Sequence, residues 1–401
     1  MELKAVRTVP SSLAPDRMRL VGEIAYDDRP GRVEELWFDI PDSRSDSLTE
    51  SGNAWLVILM PLASTLGEAL RIPLPVDRLL HRNIQEVQAI WKTWYPALHR
   101  VAVTAPASEN GGRGRKTAAF FSGGVDSFFT VLRNDRPEPG MFPADDLICV
   151  GGFDIPVRNI EAFRRHSVRM KAAAERLGKD YVDVVTNLRE TRLERSGWFG
   201  LLHGPALIGI GLMLEGRYDR LLIASSNDYG FYSPIGSHFL TDPLLSTSGT
   251  RVLHDGAPYS RSQKVELVSE SPVALETVHV CWRTEADDNC CSCEKCMRTM
   301  VNLEVLGRLE HSEAFPRRRI NPAQIARVHL SRRGLQRYWE QIRSLAVARG
   351  RPEIASAIDR GVRKSRLVRP LIGLVNGMRK RRLIWRAASP LRRWLLKDAY
   401  R

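Results

Sequence analysis

From Lys116 onward, short apolar runs alternate with amphipathic stretches. The runs at 117–121, 147–151, 181–185, 221–224 and 275–280 have the length and composition of buried strands. Between them, positions 126–134, 159–177, 198–214 and 295–308 carry apolar residues at helical spacing. This alternation predicts an α/β fold in which five parallel strands form a doubly wound sheet and ligands bind at the carboxyl ends of the strands. Ser122, Asp154, Asn187 and Ser225 to Asp228 each follow one of the first four strands.

The chain before this region reads differently. Strand-like segments at 18–26 and 33–40 and a helix near 76–94 predict an N-terminal α+β domain over residues 1–105. Residues 106–115, with Asn-Gly-Gly-Arg-Gly-Arg, read as a linker. Residues 321–366 are predicted to be wholly helical, opening on Asn321-Pro322 as cap and first-turn pair. The predicted domains are therefore 1–105, 116–310 and a helical C-terminal region over 311–401.

Length and composition leave room for this. The 401 residues are 43% hydrophobic, ordinary for a globular protein with a sizeable core. The longest apolar runs, at 55–62 and 205–214, fall well short of the ~20 residues that span a bilayer. The segment from Met1 to Arg7 lacks a signal-peptide core, so a cytoplasmic location is expected. The net charge of +14 is uneven: residues 361–401 hold ten Arg and three Lys against Asp398 alone. Trp385 and Trp394 lie among these basic residues, a mixture that suits RNA phosphates, a peripheral place on an anionic membrane, or packing on the protein body.

Chemistry concentrates at two places. Ser122-Gly123-Gly124-Val125-Asp126-Ser127 breaks a strand and opens a helix. Two glycines allow a tight turn that turns N–H groups toward phosphate oxygens, and the helix adds the positive end of its dipole. Ser122 and Ser127 add hydroxyl donors. Asp126 would repel phosphate, so a Mg²⁺ between carboxylate and phosphate is implied. No lysine follows the second glycine, which separates this loop from the Walker type.

The second place is Cys281, Cys290, Cys293 and Cys296, in the pattern C-x8-C-x2-C-x2-C. Four thiolates so spaced suit tetrahedral zinc, although an iron–sulfur cluster or disulfides use the same residues. Cys291 stands beside Cys290 and competes with it as a ligand.

The loop resembles the PP-loop of the ATP pyrophosphatase superfamily, whose members cleave ATP between the α and β phosphates and adenylate a substrate oxygen. Loop and cysteines together resemble the 7-cyano-7-deazaguanine synthase (QueC-like) family over residues 115–305. Asn227-Asp228-Tyr229, the segment Lys264-x-Glu266-Leu267-Val268 and Arg298 are further matching points. The resemblance implies an adenine nucleotide alpha-hydrolase-like sheet with a zinc knuckle at 281–298. It also implies a ligase that adenylates a carboxylate or amide for attack by ammonia or an amine. Where that family carries a Cys-Arg-Pro-Glu signature near its substrate, the stretch of this chain that begins at Tyr229 has Ile235-Gly236-Ser237-His238, so a paralogue with an altered acceptor pocket is expected.

On this reading Ser122, Gly123, Gly124, Val125, Asp126 and Ser127 bind ATP and Mg²⁺, with Asp126, Ser127 and Lys264 catalytic. Asp154 and Ser225 flank the adenine, and Asn227, Asp228, Tyr229 and His238 line the acceptor site. His203 lies near the same mouth, and Arg261 shares with Lys264 the choice between phosphate partner and solvated cation. No glutaminase is visible: Glu2 follows the initiator, and Cys149 sits inside an apolar strand. Ammonia or an amine is therefore the expected nucleophile, and the partner a small-molecule carboxylate. Two rival readings are a tRNA-base sulfurtransferase and a non-catalytic nucleotide-binding module docked by its basic tail. A homodimer is compatible with each.

Overall fold

The computed structural model describes residues 1–108, 114–281, 288–328 and 333–378, with side chains omitted for 333, 334 and 366–378. Most of the predicted linker's glycines, the distal part of the basic tail, and Trp385 and Trp394 lie outside the described residues. The chain divides into two compact units: residues 1–122 with 126–258, and residues 123–125 with 259–401.

The first unit is built on a ten-stranded sheet. Its strands are β1 (Glu2–Pro10), β2 (Arg17–Ala25), β3 (Val33–Pro41), β4 (Leu70–Arg71), β6 (Val103–Thr104), β8 (Lys116–Phe120), β9 (Asp146–Gly151), β10 (Asp180–Thr186), β11 (Tyr218–Ala224) and β12 (Arg251–Asp255). Two more strands, β5 (Val76–Asp77) and β7 (Ala107–Ser108), pair separately. The order across the large sheet is β12-β11-β8-β9-β10-β3-β2-β1-β4-β6. The five strands from β12 to β10 are parallel throughout, while β10, β3, β2 and β1 pair antiparallel.

Two expectations are corrected here. The fifth parallel strand is Arg251–Asp255, whereas 275–277 close a helix and 278–280 form no strand, for reasons given with the second unit. The strands of residues 1–105 also form no sheet of their own. β3 pairs with β10 through Val185↔Asp39 and Thr186↔Phe38, covering an edge that would otherwise expose unpaired backbone groups. Asp39, fully buried at this seam, accepts from Ser11 Oγ at 2.9 Å and from Arg19 Nε and Nη2 at 2.8 Å each. Asn187 belongs to the same seam. Its amide accepts from Trp37 N–H and donates to the Glu35 carbonyl, which gives it a structural task.

Helices α1 (Asn53–Leu66), α2 (Arg78–Trp94), α3 (Val125–Asn134), α4 (Ile160–Arg176) and α5 (His203–Met213) pack around this sheet. In α2, Leu80, Ile84, Val87 and Trp91 recur every three or four positions and are buried, and Asp77 caps the first turn by accepting from Leu79 and Leu80 N–H. The apolar runs at 55–62 and 205–214 become α1 and α5, which are buried almost all round. They approach closely at Gly209, where a Cβ would stand 2.3 Å from Ile58 Cγ1. Gly209→Ala should therefore destabilise the protein. The ~1 kcal/mol gained in helix propensity is smaller than the ~1–3 kcal/mol lost to overpacking. A lower denaturant midpoint at unchanged slope checks this.

In the second unit, α6 (Arg261–Val268), α7 (Pro272–Thr277), α8 (Glu294–Val305), α9 (Pro322–Ile325), α10 (Arg333–Ala348) and α11 (Pro352–Met378) follow one another. Ser260 and Gln263 form a capping box on α6. Ser271 accepts from Ala274 N–H and Pro272 fills the first helical turn, which is why 272–277 coils instead of extending. The predicted helix over 321–366 is three helices, with a turn at Gly350 whose φ of 67° separates α10 from α11.

Candidate functional site

The parallel strands reverse their order between β8 and β11: β9 and β10 lie on one side, β12 on the other. In open α/β sheets this reversal opens a crevice at the carboxyl ends of the two strands. Ser122 follows β8, and Ser225 to Asp228 follow β11. The strands are in register through Ala118↔Leu221 and Ala119↔Leu222.

The loop after β8 has the backbone that its glycines predict. Gly123 has φ of 72°, a left-handed conformation that a side chain would strain, and α3 begins two residues later at Val125. Ser122 is exposed, Gly124 and Asp126 are half-buried, and Ser127 is buried in the first turn of α3. Further along α3, Thr130 Oγ1 donates to Asp255 Oδ2 at 2.9 Å and Arg133 pairs with Asp255 Oδ1. This fixes α3 to the end of β12. Gly123 O accepts from His279 N–H at 2.8 Å.

The carboxyl ends of β11 and β12 enclose a small cleft lined by Ser225, Asn227, Asp228, Phe231, Ser237, His238, Phe239 and His254, among others. Four predicted residues, Ser225, Asn227, Asp228 and His238, meet there. Ser225 Oγ donates to Asn227 O at 2.5 Å, and Tyr229 N–H donates to Ala257 O, so the segment is held to its neighbours by its backbone. Tyr229 is 54% exposed beside the cleft, with its ring edge-on to Phe239 at 5.0 Å. Asp154 is exposed at the end of β9. His203 starts α5 with its ring edge-on to Trp198.

His238 is 3% exposed. Phe239 stacks on it at 4.2 Å, and Trp94 and Tyr232 meet it edge-on. Its Nδ1 accepts from Leu240 N–H at 3.1 Å, so the neutral ring carries its hydrogen on Nε2. Burial first, and then neighbouring His254, hold its pKa below the usual histidine value, against the opposing pull of Asp242. The unfolded chain therefore takes up this proton at a higher pH than the folded chain. Stability from this residue is present above about pH 6.5 and is lost as pH falls below it. Thermal melts across that range should show the loss, and His238→Gln should flatten it.

One feature of the cleft was not expected from the sequence. Asp242, fully buried, accepts from Ser237 Oγ at 2.6 Å, from His238 N–H at 3.0 Å and from His254 Nδ1 at 2.8 Å. No local spacing signals a contact between residues twelve apart that the end of β12 brings together.

In the second unit the cysteines form one cluster. The Sγ atoms of Cys281, Cys290, Cys293 and Cys296 all lie within 4.8 Å of one another, with Cys290 and Cys296 at 3.9 Å. A single zinc with bonds of ~2.3 Å separates its four sulfurs by about 3.8 Å, so the cluster is consistent with zinc binding. All six cysteines are free thiols, which removes disulfides. Cys290, not Cys291, belongs to the tetrad: Cys291 takes the left-handed turn at φ 53° and directs its thiol to Asn289 O. Cys293 N–H donates to Cys290 Sγ, and Cys296 N–H to Cys293 Sγ. Such donors favour thiolates. Burial raises the Cys290 thiol, but hydrogen bonds from Ser292 and Cys293 outweigh it and hold its pKa below the usual value. Its hydrogen bond with Cys293, burial and the neighbouring sulfurs push Cys296 far upward, a crowding of negative charge that a bound cation relieves.

Asn289 fastens this knuckle, accepting from Val280 N–H and donating to Val278 O and Ala314 O. Arg298 lies over Tyr338 at 4.1 Å and 3.7 Å from Glu294, while Trp339 Nε1 donates to the same carboxylate. Arg298 thus braces α8 against α10. Arg261 faces the Tyr338 ring at 5.7 Å. Lys264 is 2% exposed in α6, which rules out a solvated surface lysine.

Searches against protein families, curated proteins and solved structures find no match to this chain. Among the described residues, no helix is long and apolar enough to cross a membrane.

Proposed function

We propose that this chain is an ATP-dependent ligase of the PP-loop type. It cleaves ATP to AMP and pyrophosphate, adenylates a carboxylate or amide, and passes the activated group to ammonia or an amine. The observation that carries this reading is the Ser122 to Ser127 turn, left-handed at Gly123 and opening α3, at the point where the parallel strands reverse their order. The order β10-β9-β8-β11-β12 also supports the adenine nucleotide alpha-hydrolase-like fold that the resemblance implies.

On this reading the N–H groups of Gly123, Gly124 and Val125 and the hydroxyls of Ser122 and Ser127 hold phosphate oxygens. Asp126 would hold Mg²⁺, which would supply charge neutralisation to the phosphates. Ser225 and Asp154 flank the adenine. Asn227, Asp228, Tyr229 and His238 orient the acceptor. The cysteine tetrad has no open ligand position and serves as a structural zinc site.

Exchange of labelled pyrophosphate into ATP tests the activation step by itself. With 7-carboxy-7-deazaguanine, the acceptor that the resemblance implies, or with a pooled fraction of small cellular carboxylates, label should enter ATP. No exchange with either would remove the ligase reading.

A further inference from the structure

The cleft at the ends of β11 and β12 holds two histidines whose hydrogen bonds give them opposite tautomers. A carboxylate only accepts, so the Asp242 contact places the hydrogen of neutral His254 on Nδ1 and leaves Nε2 as a base. His238 is the reverse: Leu240 N–H occupies its Nδ1, and its buried Nε2–H has no hydrogen-bond partner among the described residues. An unpartnered donor buried at the wall of a cleft is costly unless a ligand meets it. The cleft thus presents one nitrogen that accepts a proton and one that donates a hydrogen bond.

His254 is also placed by the sheet. It pairs with Ile223 across β11 and β12, one position before Ala224↔Asp255, so the rigid end of a strand carries it. Asp242 is held in turn by Ser237 and the His238 N–H. The remaining charged groups around the ring are Asp228 in the cleft wall and Asp255, which is neutralised by Arg133. No cation other than the two histidines lines the cleft among the residues named.

We infer that His254, oriented by Asp242, is the general base that takes the proton from the attacking nitrogen, while His238 donates to the acceptor's oxygen. This rests on the ligase reading above. As the nitrogen lone pair forms the C–N bond, the acyl–oxygen bond to the adenylate breaks and its electron pair leaves with AMP. The nitrogen then carries one proton too many, which passes to His254 Nε2. The imidazolium so formed keeps its Nδ1–H on Asp242, a buried carboxylate that stabilises the charge.

The test uses the full chain with ATP, Mg²⁺, 7-carboxy-7-deazaguanine and ammonium, following AMP and amide separately. His254→Ala should lower amide formation by about 10²–10⁴-fold, the usual size of a general-base contribution. Added imidazole should restore part of it, with a pH dependence that follows free imidazole. Asp242→Asn should lower amide formation while ATP activation, read as pyrophosphate exchange, is retained, and Asp242→Glu should recover part of the loss. A folded His254→Ala protein that keeps wild-type amide formation, or that imidazole does not restore, overturns the assignment of the base. Wild-type amide formation in folded Asp242→Asn overturns the positioning role. Wild-type protein that makes no AMP at all defeats the ligase reading, and this assignment with it.

Discussion

Asp126→Ala is expected to lower ATP turnover by at least about 10²–10³-fold, the loss typical when one group of a preorganised electrostatic site is removed. The carboxylate stands half-buried in the first turn of α3, directly after the Gly123-Gly124 turn. Only a cation reconciles it with a phosphate at that helix end. The fold should survive. Thr130 and Arg133 still fix α3 to Asp255, and an acidic group in a helix's first turn contributes only about 0.3–1 kcal/mol through the dipole. Asp126→Asn should behave like the alanine variant, because the amide keeps the shape but loses the charge. Turnover at the wild-type rate in either folded variant would remove the phosphate-site argument.

The second large effect concerns the cysteine tetrad. Purified protein should hold about one zinc per chain. Cys296→Ser should lose it, because Cys296 is fully buried among the other three sulfurs. The free energy of binding at closed zinc sites is of order 10 kcal/mol and is coupled to folding, so the bracing of α8 against α10 should fail with the metal. An early transition attributable to the second unit, at a temperature where the wild type is fully folded, is the expected calorimetric result. Cys149→Ser is the control. That thiol is buried inside β9 with its pKa pushed up to about 12, and its loss should leave the zinc content unchanged. A visible absorption band from iron in the purified protein would contradict the zinc assignment.

Four of the five parallel strands and the helices between them were legible because each is a compact apolar run bounded by turn chemistry. The Ser122 to Ser127 loop was legible for the same reason: its chemistry is contiguous. The errors have physical causes. Arg251–Asp255 has only Val252 and Leu253 between polar neighbours, too short a signal to stand out, yet it completes the parallel sheet. The run at 275–280 looked extended, but Ser271 and Pro272 start a helix there. The joining of β3 to β10 is a pairing between segments some 150 residues apart, which no local pattern encodes. The same holds in the cleft. His238 was expected from its neighbourhood, whereas its partner network through Asp242 and His254 exists only once β12 is in place. The cysteine cluster was readable from spacing, but the choice between Cys290 and Cys291 needed the left-handed turn at Cys291.

The most direct test of the central claim is the nucleotide product of the wild-type protein. ATP and Mg²⁺ are supplied with ammonium and 7-carboxy-7-deazaguanine, or with pooled small cellular carboxylates, and the products are separated by chromatography or phosphorus NMR. AMP and pyrophosphate in equal amounts, dependent on an added acceptor, are the predicted result. ADP and phosphate, or no turnover with any acceptor, would contradict it.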